Sequence, residues 1–324
     1  MQTEASRARV PLWAALAGAV LVGVLTALQA RINGQLGVRL GDGFTAAVIS
    51  FGSGLAILIL LSFLLADGRR GAARLVREVR ARRIPWWMLA GGAAGAFTVA
   101  TQGLAVGLIG VSLFTVGVVA GQTVCGLVLD RTGYGPSGVV AVTVGRLIGA
   151  ALALVAVAIS LGGGLAGIPL WMLVLPFLAG AGIAWQQATN GRLRARVGTP
   201  LTATLVNFAG GTAILAVAAG IRIAITGPPA AFPTDPWIYL GGAVGVVYIF
   251  LSAALVAYTG VLLLGLGSVV GLLITAIVLD ALWPAAGDQR LVREAITVGI
   301  ALISVVVAVV PWQRATRRLR RPSA

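Results

Sequence analysis

A chain of 324 residues, 59% of them hydrophobic and only 10% charged, lies far from a soluble domain, in which about 25% of residues are charged. A mean hydropathy of +1.00 specifies an integral membrane protein. The net charge of +15 comes from arginines set between apolar runs, which argues for membrane orientation and against nucleic acid; one cysteine, Cys125, and no histidine exclude an intramolecular disulfide and the usual Cys/His metal sites.

A helix needs about 20 apolar residues to cross a hydrocarbon core of about 30 Å. Ten runs approach or reach that length. The first, 11–31, follows Arg7 and Arg9 as a signal peptide would. No A-x-A site follows it and its end recurs in mid-chain, so it reads as a retained helix. The second, 44–66, stops at Asp67-Gly68-Arg69-Arg70. The third and fourth, 86–107 and 110–130, precede the turn Thr132-Gly133-Tyr134-Gly135-Pro136. The fifth, 139–160, leads to Gly162-Gly163-Gly164. The sixth and seventh, 168–189 and 201–224, end at Gly227-Pro228-Pro229. The eighth and ninth, 237–258 and 260–282, end at Trp283-Pro284, and the tenth is 294–312. The runs are apolar on all sides, whereas barrel strands alternate, so helices are expected.

Gln29 to Gly41 reads QARINGQLGVRLG, and Gln186 to Gly198 reads QQATNGRLRARVG. At this spacing of 157, 13 of the 30 positions from Gln29 to Leu58 are identical, including Asn33/Asn190, Gly34/Gly191, Thr45/Thr202, Phe51/Phe208 and Gly54/Gly211. At a spacing of 150, Trp87, Gly91, Gly92 and Gly95 match Trp237, Gly241, Gly242 and Gly245. Gly110, Val111, Gly117, Gly121 and Asp130 match Gly260, Val261, Gly267, Gly271 and Asp280. The chain therefore reads as a duplicated five-helix unit, residues 1–160 and 161–324. Five spans are odd, so the second copy is expected upside down in the membrane. The arginines agree. With the N-terminus inside, 18 fall on the cytoplasmic side and five outside, leaving Arg146 within a run. Seven lie between Arg69 and Arg83, while the corresponding segment after the seventh run has none beyond Arg222.

Ten helices in two inverted halves resemble the drug/metabolite transporter superfamily. The repeated Q-x-x-x-N-G-x-L, T-A and F-x-x-G pattern, at Gln29 to Gly54 and Gln186 to Gly211, is similar to its bacterial YdcZ-like branch. The resemblance implies an all-α protein of the bacterial inner membrane, with both termini cytoplasmic, that moves small molecules by alternating access. It names no substrate. A lipid-handling protein or flippase and a non-transporting membrane scaffold are the alternatives.

Polar groups in a helix core are expensive unless they meet partners or a water-filled route. Gln29 and Asn33 share a helical face, as do Gln186 and Asn190; they read either as the two mouths of a pathway or as caps of loop backbone. Ser50, its mate Asn207, Thr98, Gln102, Gln122, Tyr248 and Ser252 are deeper candidates for lining a substrate route. Asp130 and Asp280 end helices, where a negative charge opposes the macrodipole and calls for a cation. Arg131 or Arg146 would serve Asp130, and Arg290 or Arg293 would serve Asp280, as gating ion pairs or as ordinary caps. Gly91/Gly95, Gly117/Gly121, Gly145/Gly149 and Gly241/Gly245 have the spacing of close helix packing. No Walker motif is present and no catalytic cluster suggests an enzyme. Membrane lipids, a small-molecule substrate and a second copy as homodimer are the expected partners; no cofactor or metal is expected.

Overall fold

The computed structural model describes residues 10–160, 174–229, 231–282 and 289–310. Side chains at 102–113, 116, 160, 276–277, 279–282 and 289–295 lie outside that description. The described chain is helical, without strands. The helices are α1 (Leu12–Leu40), α2 (Gly43–Leu64), α3 (Ala66–Arg80), α4 (Gly91–Thr132), α5 (Val144–Ser160), α6 (Val174–Val197), α7 (Pro200–Thr226), α8 (Gly241–Leu282) and α9 (Gln289–Val309). Single turns of tighter helix, Trp86–Leu89 and Pro236–Tyr239, lead into α4 and α8. Helix is the form an apolar run takes in lipid, because every backbone donor then finds its acceptor within the segment. Among the described residues, Leu12–Leu40, Gly43–Leu64, Pro200–Thr226 and Pro236–Thr275 are long and apolar enough to span by themselves; Val144–Ile159 and Ile296–Val309 are shorter apolar helices.

Local chemistry sets the boundaries. Gly41 closes α1 with a left-handed φ of 65°, and the Asp42 carboxylate then accepts the Phe44 amide at 2.9 Å to open α2. The matching positions at a spacing of 157 do the same work: Gly198 has φ 87°, and the Thr199 hydroxyl accepts the Leu201 amide at 3.2 Å to open α7.

Two expected pairs of runs are each joined without a loop. The runs 86–107 and 110–130 form α4; 237–258 and 260–282 form α8. Contacts show that both fold back. Thr98 donates to the Ala179 carbonyl, and a Cβ on the adjacent Gly180 would lie 1.9 Å from the Val118 carbonyl oxygen. In a straight helix Thr98 and Val118 would be about 30 Å apart, so α4 turns between them. In α8, Leu255 packs on Gly18 while Gly267 and Ser268 pack on Ala19. The turn is at Gly260, whose φ of 73° and ψ of 175° interrupt the helix. That combination is open essentially to glycine alone. Each 42-residue helix is thus two arms, and all ten apolar runs fall largely on helix.

The segment between the second and third runs is more than a basic loop. It forms α3, which docks through two glycines. A Cβ on Gly68 would lie 2.5 Å from Ser62 Cα, and one on Gly71 would lie 2.2 Å from Thr202 Oγ1. The core is made of separate apolar clusters. The largest joins α2 and α7 through Phe51, Leu58, Phe208 and Leu215. Two others use matched residues: Leu36, Leu40, Ala46 and Ile238 in one, Leu193, Val197, Ala203 and Met88 in the other.

Candidate functional site

Close approach of helix backbones creates the site. Gln29 and Asn33 project from α1 and Ser50 from α2 toward the start of α8. The Gln29 amide donates to the Gly241 carbonyl at 3.0 Å. A Cβ on Gly241 would lie 2.0 Å from Asn33 Oδ1 and 3.1 Å from Ser50 Oγ, and one on Gly245 would lie 2.2 Å from Gln29 Nε2. Only glycine leaves room for these polar atoms against the helix.

A second junction is made by the matched residues. Gln186 and Asn190 project from α6 and Asn207 from α7 toward the start of α4. Gln186 and Asn190 both donate to Asn207 Oδ1, at 2.9 and 3.1 Å. A Cβ on Gly91 would meet Asn190 Oδ1 at 2.4 Å, and one on Gly95 would meet Gln186 Nε2 at 3.2 Å. The two junctions are linked through an aromatic pair. Phe208 touches Gly245, Phe51 touches Gly95, and the two rings lie 5.2 Å apart between centroids. Contact therefore runs unbroken from Gln29 through Gly245, Phe208, Phe51 and Gly95 to Gln186.

The junctions leave Asn33 Oδ1, Ser50 Oγ and Asn207 Nδ2 buried without a protein hydrogen-bond partner. Such groups are rare in a folded interior, because each forfeits its hydration. The other expected residues sit apart from them. Thr98 donates to its own helix at Ala94 and more weakly across to Ala179. Gln122 is buried against Gly265. Tyr248 packs at the edge of the Phe51–Phe208 cluster, and Ser252 is buried. The side chains of Gln102, Asp280, Arg290 and Arg293 lie outside those described.

Asp130 is fully buried at the end of α4 and holds three elements together. Arg146 of α5 donates to its Oδ2 at 2.9 Å. The amides of Val261 and Leu262 donate to Oδ1 and Oδ2 at 2.8 and 3.2 Å. These are the first amides after the break at Gly260, so Asp130 caps the second arm of α8 from another helix. Arg131 is exposed and the cation on Asp130 is Arg146. The sequence pointed to the carboxylate and to Arg131 or Arg146 as its cation, but not to the helix end that the carboxylate caps; Gly260 is one of several glycines in that run, and only the structure shows that the break falls there.

A further group was not legible. The Arg192 guanidinium lies 4.8 Å from the Tyr134 ring and 5.8 Å from the Trp87 ring, and the Tyr134 hydroxyl bonds Thr189 at 3.0 Å. Arg194 donates to the Ala254 carbonyl at 3.0 Å. Two of the arginines counted for orientation therefore also tie α6 to its neighbours.

No curated protein matches the chain significantly. Among solved structures, one crystal structure of a protein aligns with 95% of this chain and 98% of its own, with a TM-score of 0.61 at 21% identity. A likeness at that identity shows the fold alone. The family described as "Putative inner membrane exporter, YdcZ" matches residues 14–159 and 171–309. With nearly the whole chain matched in two segments, the protein belongs to the YdcZ-like branch of the drug/metabolite transporters, a family of inner-membrane transporters rather than enzymes.

Proposed function

We propose that the chain is an alternating-access carrier that exports a small molecule, built from two inverted five-helix repeats, residues 1–160 and 161–324, with both termini cytoplasmic. The observation that carries this reading is the pair of matched junctions. Gln29, Asn33 and Ser50 of one repeat close on Gly241 of the other, and Gln186, Asn190 and Asn207 close on Gly91 in return. In inverted repeats such equivalent contacts sit toward opposite faces of the membrane, so each is a gate and this conformation has both shut. Opening one gate hands its unpartnered polar atoms to water or substrate. Thr98, Gln102, Gln122, Tyr248 and Ser252 line the route between the gates. Asp130–Arg146 is a latch that holds the second arm of α8, and Asp280 with Arg290 or Arg293 is its counterpart.

Cysteines at Asn33 and Asn190, placed singly in a Cys125→Ala chain, test this with a membrane-impermeant maleimide in vesicles of both orientations. Labelling of the two positions from opposite sides is expected. Cross-linking Asn190→Cys to Gly91→Cys is expected to raise the labelling rate at residue 33 about tenfold, since locking one gate removes the states that compete with opening the other. Labelling from one side only, or rates indifferent to the cross-link, contradicts the reading.

A further inference from the structure

α3 has no counterpart in the ten runs. Its sequence, ADGRRGAARLVREVR, places Gly68, Gly71 and Leu75 on one face at spacings of three and four, and that face docks on α2 and α7. The rest of the helix surface is open: Arg77 and Arg80 are exposed on the far side, Val76 on the flank is 48% exposed, and Val79, four residues on from Leu75, is 39% exposed. Phe63, Leu64 and Leu65, where α2 hands over to α3, are 72, 65 and 48% exposed. Arg69 donates to the Phe63 and Leu64 carbonyls at 2.7 and 2.9 Å, fixing the corner between the two helices.

This surface is charged as well as apolar. Five arginines lie on α3, and Arg82 and Arg83 follow it, against only Asp67 and Glu78. Asp67 pairs with Arg70 at 3.1 Å. Glu78 is shared at 3.8 Å between Arg77 and Arg83. Two carboxylates cannot neutralise seven guanidinium groups. An open surface of the helix is lined by Ala72, Ala73, Val76, Arg77, Arg80 and Ala81, so small apolar side chains and two guanidinium groups share it. A helix of this pattern, joined to the end of a membrane span, lies in the plane of the interface and attracts anionic headgroups.

We propose that α3 is an interfacial helix that binds anionic phospholipid, with the headgroup phosphate held by Arg77 and Arg80 and the upper acyl chain against Ala72, Ala73 and Val76. Charge complementarity chooses this occupant: a zwitterionic headgroup offers no net charge to match, and a wholly apolar partner would strand the arginines. The inference goes beyond the transport reading and stands whether or not the chain alternates between gates.

The test uses full-length protein reconstituted in phosphatidylcholine bilayers with spin-labelled phosphatidylglycerol or phosphatidylcholine as the probe. Electron paramagnetic resonance gives the preference for lipid at the protein surface. The expected result is a preference for phosphatidylglycerol that weakens with salt and falls about fivefold for each surface arginine removed from the site, in Arg77→Gln, Arg80→Gln and their combination. Arg77→Lys with Arg80→Lys, which keeps the charge, is expected to retain most of it. No preference in the native chain, or a preference unchanged in the double glutamine variant, overturns the proposal. So does equal loss in the lysine and glutamine variants, which would mark a structural role for the two side chains.

Discussion

At the residue scale, the energetics centre on Asp130. A buried carboxylate carries a large desolvation cost, and here a guanidinium and two backbone amides offset it. Removing one partner of such a pair costs about 3–5 kcal/mol, because the other charge stays buried alone. Asp130→Asn is therefore expected to lower the thermal midpoint of the purified protein strongly. It strands Arg146 and weakens the cap on Val261 and Leu262. Arg146→Met strands Asp130 and should cost a similar amount. The double variant removes both charges, and its loss is expected to fall short of the sum of the single losses by about 1–3 kcal/mol. Additive losses, read from the same melting curves, would show that the two side chains do not act as a unit. Gly260→Ala is expected to be at least as damaging as either single change. A Cβ there would lie 2.9 Å from Asp130 Oδ2 and would have to adopt φ 73°.

At the scale of elements, the helices are held by missing side chains. α4 and α6 touch backbone to backbone: a Cβ on Gly121 would lie 1.8 Å from the Phe177 carbonyl oxygen, and one on Gly180 would lie 1.9 Å from that of Val118. α1 and the second arm of α8 do the same at Gly23 and Gly271, with 1.9 Å to the Ser268 oxygen and 2.0 Å to the Val20 oxygen. In lipid, where apolar burial gives little drive, this close packing is the main attraction between helices. Gly121→Ala and Gly180→Ala are expected to force α4 and α6 apart, with loss of the monodisperse species in size-exclusion chromatography. Gly34→Ala is the control. Gly34 is repeated at Gly191, yet nothing lies within 4 Å of its Cβ position, so a normal elution profile and thermal midpoint are expected. A glycine at a repeated position is therefore not by itself a packing glycine. The helical runs and their order were legible, because hydropathy encodes them directly, and so were the glycines of Gly91/Gly95 and Gly241/Gly245 that meet side chains of other helices. Sequence could not give the amphipathic α3, whose arginines masked a three-and-four periodicity. Nor could it show that Asn33 and Asn190 face glycines from distant segments, since that depends on which helices meet.

At the scale of the whole molecule, the account rests on two halves of opposite orientation. Their residues were legible as a duplication, and the contacts they make in space are equivalent at two junctions, two helix caps and two apolar clusters. Orientation itself is a property of the bilayer. Arg39 of α1 pairs with Asp235 before α8, joining the end of the first span to the segment that follows α7. In the proposed orientation that pair belongs to one face of the membrane and α3 to the other. The most direct measurement places a single cysteine at Arg70 and, separately, at Pro228, in a Cys125→Ala chain, and treats intact cells with a membrane-impermeant maleimide before and after lysis. The account predicts that residue 228 is labelled in intact cells and residue 70 only after lysis. Labelling of both in the same compartment would contradict it.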